Sequence, residues 1–176
     1  NYAKAEYMIP MRDGVKLYTA VFAPKDKRTK HPVLFTRTPY GCHPYGKKQL
    51  DRPLAAIYEN YLRAGYILVF QDVRGRYMSE GEFVNVRPWA EGGVDESTDA
   101  YDSVEWLLRK IKNHNHRVGF YGCSYDGFYA IMAAASAHPA IKAVSPQAPV
   151  FDWFVGDDFH HNGAFALMDA VSFLPN

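Results

Sequence analysis

The stretch VGFYGCSYDGFYAIMAAASAHPAIKAV, residues 118–144, decides the fold. Val118-Gly119-Phe120-Tyr121 is a short apolar run that reads as a buried strand, Phe128 to Ala137 reads as an alanine-rich helix, and Ile141 to Val144 reads as a second strand. Two strands joined through a helix pair in parallel, because a crossover returns the chain to the same end of the sheet. Between the first strand and the helix sits Tyr121-Gly122-Cys123-Ser124-Tyr125-Asp126-Gly127, a turn with a hydroxyl near its apex and glycines on both sides.

Upstream the same alternation continues. Asp95, Glu96 and Asp99 stand where a helix dipole favours acids, and Val104, Leu107, Leu108 and Ile111 form the buried stripe behind them. The segment from Gln71 to Thr98 is polar, bears glycines and has no period, so it is read as a functional or mobile loop. Tyr66-Ile67-Leu68-Val69-Phe70 is a strand, Leu54, Ile57, Tyr58, Tyr61 and Leu62 mark an amphipathic helix closed by Gly65, and Val33-Leu34-Phe35-Thr36 is a strand buried on both faces. At the start, Tyr7–Pro10 and Leu17–Ala23 flank Arg12-Asp13-Gly14 as an antiparallel hairpin. Downstream, Val150 to Asn162 is aromatic and acidic, and Gly163 to Leu174 reads as one more helix. The β-α-β-α-β-α-β order predicts an α/β fold with a mainly parallel, doubly wound sheet, its functional loops at the carboxyl ends of the strands.

Composition narrows the function. A net charge of +1 without basic runs argues against nucleic acid as the main partner, since counterion release needs clustered Lys and Arg. No apolar run has the length of a membrane span. Two cysteines, Cys42 and Cys123, without a CxxC pair provide neither a zinc ribbon nor a dithiol redox centre, and leave one disulfide open. The chain starts at Asn1 without Met, which fits a processed leader or a trimmed end and leaves the compartment open, periplasmic and secreted locations included.

Placed between a strand and a helix, Ser124 fits a nucleophile elbow, in which small neighbours let the backbone fold sharply and the helix N-terminus offers amide donors to a developing oxyanion. Gly122 supplies one small neighbour, but strict GxSxG fails because Asp126 occupies the second glycine position and Gly127 follows it. The plainer alternative is Ser124 as an ordinary N-cap. Cys123 is a rival nucleophile, but its register would put bulky Tyr121 where a small residue is needed, so it is expected to be a buried, inert thiol. Asp157, Asp158, His160 and His161 have metal-ligating side chains, yet their spacing matches no ligand frame and no metal is expected. Trp89 and Trp153 suit an apolar pocket or simple core packing.

The segments TRTPYG, FQDVRGRYMSEGEF, DESTDAYDSVEWL, VGFYGCSYDGF, HPAIKAVSPQAPVFDW and GDDFHHNGAF resemble, in order, motifs of the X-Pro dipeptidyl-peptidase (S15) and cocaine-esterase group of α/β-hydrolases. Within that group the chain is most similar to α-amino-acid ester hydrolases and glutaryl-7-aminocephalosporanic acid acylases. The group's elbow is GxSYxG, which accommodates Asp126. The resemblance implies Ser124 as nucleophile, the Tyr125 backbone N–H and the Tyr40 hydroxyl as oxyanion donors, and Asp158 as a carboxylate that binds a substrate's α-ammonium group. It implies no cofactor, and a small ester, amide or short peptide as substrate: α-amino esters and β-lactam side-chain amides first, X-Pro peptides and aryl esters next.

The resemblance also implies that residues 1–149 are the N-terminal part of an α/β-hydrolase catalytic domain and 150–176 the beginning of a helical cap. The group's catalytic Asp and His, its later strands and its jelly-roll domain have no counterpart here, so the chain is expected to be an incomplete hydrolase, inactive alone. Its last strand, Ile141 to Val144, should then show an open edge and a bare apolar face, covered by the remaining hydrolase segment or by a second copy. A non-catalytic module that binds a partner through that edge is the alternative from another functional class.

Overall fold

Why the chain opens as a hairpin is visible at its turn. Gly14 adopts φ +88° and donates its N–H to the Met11 carbonyl at 2.9 Å, reversing β1 (Tyr2–Pro10) into β2 (Lys16–Pro24) with Pro10 opposite Lys16. The computed structural model describes residues 1–47, 52–87, 89–150, 152, 155 and 159–173. Four further strands complete this sheet: β3 (His31–Thr38), β4 (Ile67–Asp72), β5 (His114–Cys123) and β6 (Ile141–Gln147). They run parallel to one another, β4 pairs antiparallel with β2, and the spatial order is β1-β2-β4-β3-β5-β6.

Side chains alternate across this sheet as a period of two requires. Val33 and Phe35, Ile67 and Val69, and Val118 and Phe120 point to one face, where α3 (Glu96–Lys110) and α4 (Tyr125–Ala135) add Val104, Leu107, Ala130 and Ala133. Leu34, Leu68 and Phe70 point to the other, beneath α1 (Arg52–Ile57) and α2 (Glu59–Arg63), with Tyr58 and Leu62 against them. The expected doubly wound arrangement is present, and every carboxyl end of the parallel strands opens on one rim.

Three expectations need correction. The helix expected over Leu54 to Leu62 breaks at Tyr58, whose buried ring turns inward so that its hydroxyl lies 3.2 Å from that of Thr36, while Ile57 is left exposed. The helix expected from Gly163 begins at Leu167 as α5 (Leu167–Phe173). Asn162 and Gly163 take φ +50° and +83°, forming instead a two-residue hairpin between β7 (His160–His161) and β8 (Ala164–Phe165). Finally, β6 is a sheet edge among the described residues, but its face is not bare and apolar. Ile141 and Val144 pack against the core, and Lys142, Ser145, Pro146 and Gln147 are exposed, residues that discourage edge pairing.

The acids at the start of α3 do more than answer the helix dipole. Asp95 is the N-cap and completes a capping box with Thr98. Glu96 and Asp99 are buried and paired with arginines. Arg37 of β3 donates to the Gln71 side chain at 2.8 Å, lies 3.1 Å from the Glu96 carboxylate and 3.7 Å from that of Asp99, and packs over the Tyr129 ring. Arg74, just past β4, binds both oxygens of Asp99 at 2.6 and 3.0 Å and reaches Asp13 in the opening hairpin at 2.7 Å. The long loop after β4 is therefore fastened at its root.

A buried ion pair adds little over an apolar replacement, but removing one partner strands a charge. Asp99→Ala leaves Arg74 and Arg37 short of a buried counter-charge, and chemical denaturation should show a loss of about 3–5 kcal/mol in unfolding free energy.

Candidate active site

Ser124 sits between the last residue of β5 and the first of α4 with φ +58° and ψ −122°, a conformation that costs a residue with a side chain about 1–3 kcal/mol. Its side chain makes no capping bond, which sets aside the ordinary N-cap. The turn around it is held from three sides. The Ser124 N–H donates to the Gln147 carbonyl of β6 at 2.8 Å, and the Ser124 carbonyl accepts from Gly127 and Phe128 at 2.9 and 3.2 Å. A Cβ at Gly122 would lie 2.0 Å from the Asp126 carbonyl oxygen, and one at Gly127 would lie 2.9 Å from the Gln147 carbonyl oxygen. Both glycines are thus demanded by backbone approaching backbone. Gly127 meets a need that the strict motif assigns to the position before it.

Tyr125 is almost fully buried, its ring stacked on Tyr129 at 5.3 Å. Its hydroxyl donates to the Asn85 side-chain carbonyl at 3.1 Å and accepts the Val86 N–H at 2.6 Å, so residues 85 and 86 of the long loop are tied to the elbow. As the first residue of α4 it has an N–H with no acceptor one turn back in the helix.

Tyr40 stands on the loop that follows β3. The Tyr40 N–H donates to the Thr38 hydroxyl oxygen at 3.2 Å, Arg76 donates to the Pro39 carbonyl at 2.9 Å, and Gly41 turns the chain at φ +90°. Asp72, fully buried at the end of β4, accepts from the Cys42 N–H, the Tyr45 hydroxyl and the Met78 N–H at 2.8, 2.9 and 3.2 Å. One carboxylate therefore joins the loops after β3 and β4. The Tyr40 ring meets the Tyr125 ring edge-on, 6.3 Å between centroids, while 49% of the residue remains exposed. Burial raises the Tyr40 pKa, and the charge of Asp126 adds to that rise against the opposing effect of Arg76, so the phenol keeps its proton through neutral pH.

Ser124, Tyr125 and Tyr40 are thus brought to one rim of the sheet. Asp157 and Asp158 lie outside the described residues, as does Trp153. Trp89 is 60% exposed and lines no core. His160 belongs to the small hairpin, its ring 5.2 Å from that of Phe165, and no metal-binding group of His, Cys, Asp and Glu occurs among the described residues. No helix among the described residues is long and apolar enough to cross a membrane. Both cysteines are free. Cys123 is exposed rather than buried, because Phe120 and Gly122 face inward and the alternation of β5 turns residue 123 outward. The Asp72 tie and the Tyr125 hydroxyl were not anticipated; an acid two residues past the apolar run of β4 was the available signal for the former.

A sheet of this order with a strained strand-to-helix serine at its carboxyl rim is an α/β-hydrolase fold. The family model for X-Pro dipeptidyl-peptidase (S15 family) matches residues 13–175, and the chain belongs to that family. It is 33% identical over 168 residues to the cocaine esterase of Rhodococcus sp. (strain MB1 Bresler), covering 95% of this chain and 27% of that protein. Among solved structures it superposes with TM-score 0.84 on an alpha-amino acid ester hydrolase, at 43% identity over 93% of this chain and 28% of the other. An aminopeptidase from the marine sediment archaeon Thaumarchaeota archaeon gives the same TM-score at 40% identity, with the same coverage. The chain spans little more than a quarter of the length of these relatives.

The glycine geometry is directly checkable. Gly122→Ala should cost several kcal/mol, about 3 or more, because backbone cannot yield to a Cβ. Gly119→Ala, whose Cβ would meet its first neighbour at an ordinary 3.7 Å, should change stability by less than about 1 kcal/mol in the same denaturation experiment.

Proposed function

We propose that the full-length protein is a serine hydrolase that cleaves ester or amide bonds through an acyl-enzyme. The observation that carries this reading is the Ser124 backbone at φ +58° with its hydroxyl unused by the helix it precedes. Strain of this kind persists where the surroundings over-determine it, and here two glycines and the Gln147 carbonyl do so.

In the first step the Ser124 oxygen attacks the substrate carbonyl as its proton passes to an imidazole base. The tetrahedral oxyanion is met by the Tyr125 N–H from α4 and by the Tyr40 hydroxyl from the loop after β3, two donors approaching from different elements. Collapse breaks the bond to the alcohol or amine, which leaves with the proton, and water then releases the acid by the same route in reverse. The base and its orienting carboxylate are assigned to the segments of the family that this chain does not span. No cofactor enters these steps.

For the substrate, an α-amino acyl group is favoured, because an alpha-amino acid ester hydrolase and an aminopeptidase are among its relatives, at 43% and 40% identity. Asp158 is the proposed partner of the ammonium, since a carboxylate facing a bound cation in a dry pocket is a strong, selective contact. β-Lactam side-chain amides and X-Pro peptides are the neighbouring substrate classes.

In the full-length protein, Ser124→Ala should lower kcat/KM by roughly 10⁴-fold or more, and a fluorophosphonate adduct should map to Ser124. An adduct on exposed Cys123 with turnover retained in the alanine variant would sink the proposal. Tyr40→Phe should cost about 10²- to 10³-fold in kcat. For specificity, an amino-acid ester with a free α-amine should be cleaved faster than its N-acetyl counterpart, and Asp158→Asn should remove the difference. Equal rates on the two esters in the unmodified protein would refute ammonium recognition.

A further inference from the structure

Asp72 is a fully buried acid that the acyl-transfer steps leave without a task. It ends β4 opposite Thr38, the last residue of β3, and so lies at the root of the loop that carries Tyr40. Both of its oxygens are taken. Oδ1 accepts the Cys42 N–H at 2.8 Å, and Oδ2 accepts the Tyr45 hydroxyl at 2.9 Å and the Met78 N–H at 3.2 Å. A carboxylate accepts on both oxygens and all three partners donate, so its amide isostere cannot answer them all.

The Tyr40 side chain is not held by enclosure: its ring meets that of Tyr125 edge-on, and 49% of the residue is exposed. Its place is set through the backbone on either side. Before it, the Pro39 carbonyl accepts the Arg76 Nε–H at 2.9 Å; two residues after it, the Cys42 N–H is the one that Asp72 receives. Between them Gly41 turns at φ +90°, in a region that few other residues adopt. A Cβ on Gly41 would lie 3.0 Å from His43 Nε2 and 3.1 Å from both the Tyr45 hydroxyl and Tyr77 Cε1. The peptide beside Tyr40 is therefore drawn against the same hydroxyl that donates to Asp72. Asp72 and Arg76 stand four residues apart at the end of β4, so one short stretch grips the chain on both sides of the tyrosine.

We infer that Asp72 is a positioning residue for acyl transfer: through the Cys42 N–H and the Tyr45 hydroxyl it fixes the backbone from which Tyr40 aims its hydroxyl at the oxyanion. The inference rests on the reading of Ser124 and Tyr40 given above. It gives Asp72 no contact with substrate or reacting atoms, and an effect of defined kind. Losing the acid misplaces a donor used in the transition state, which lowers kcat and leaves KM little changed.

The test is a double-mutant cycle in the full-length protein on 4-nitrophenyl butyrate: wild type, Asp72→Asn, Tyr40→Phe and the double variant. Asp72→Asn turns one acceptor into an NH2 group that faces either the Cys42 N–H or the Met78 N–H and Tyr45 hydroxyl. It should lower kcat by about 10- to 10²-fold in wild type with KM changed less than about threefold, and lower kcat by less than about threefold in the Tyr40→Phe background. Equal losses in the two backgrounds, or no loss in wild type, overturn the inference and leave Tyr40 as a donor. A Tyr40→Phe variant as active as wild type overturns the reading of Tyr40, and the inference with it. Should Asp72→Asn fail to fold, Tyr45→Phe provides the same cycle, since it keeps the ring against Tyr18 and His43 and removes one bond to the acid. Its loss in kcat should be about 3- to 10-fold and should vanish in the Tyr40→Phe background; a loss that persists there, or none in wild type, overturns the inference.

Discussion

A guanidinium with almost no exposed surface organises this molecule. Arg37 lies near the end of β3 and is met by Gln71 from β4, by Glu96 and Asp99 from α3, and by the ring of Tyr129 from α4. An enclosed charge needs opposite charge and hydrogen bonds around it, and these partners tie β3, β4, α3 and α4 together. Burial raises the Glu96 carboxyl despite the arginines around it. Its reach extends to the rim: Tyr40 follows Arg37 by three residues, and Tyr129, under the guanidinium, is the platform on which Tyr125 stacks.

The rim is fastened by a second buried acid. Asp72 holds the loop after β3 and the loop after β4 to each other, as Arg74 holds the latter to α3 and the opening hairpin. Loops that carry chemistry are commonly the mobile parts of a fold; here their roots are as firmly bonded as the strands. The backbone strain at Ser124 is sustained by this rigidity. Neither neighbouring glycine can be filled, and the turn is hydrogen-bonded to the adjacent strand.

How much of this could be read in advance follows from the range of each interaction. Strand and helix alternation was legible because burial imposes periods of 2 and 3.6 on neighbouring residues, and the elbow because its glycines stand within three residues of Ser124. The outward turn of Cys123 and the hairpin at Asn162-Gly163 were also locally encoded, through strand alternation and through a dipeptide suited to positive φ. The arginine–carboxylate cluster was not. Arg37 and Glu96 lie far apart in sequence, and no local pattern distinguishes a buried arginine from an exposed one. The same holds for the Tyr125 hydroxyl, whose partners Asn85 and Val86 sit in a stretch without period.

The outer edge of β6 dictates direction to whatever strand extends it. A segment of the same chain arriving by the usual right-handed crossover would add a parallel ladder with slanted, evenly spaced hydrogen bonds. A second copy related by a two-fold axis in the middle of the edge must run the opposite way, because the rotation that exchanges the two strands also reverses them. Pro146 withholds an N–H from any such ladder, so the carboxyl half of β6 donates fewer bonds than its amino half. The polarity of one added strand, parallel or antiparallel, is therefore a geometric signature of whether the sheet is continued from within or closed by symmetry.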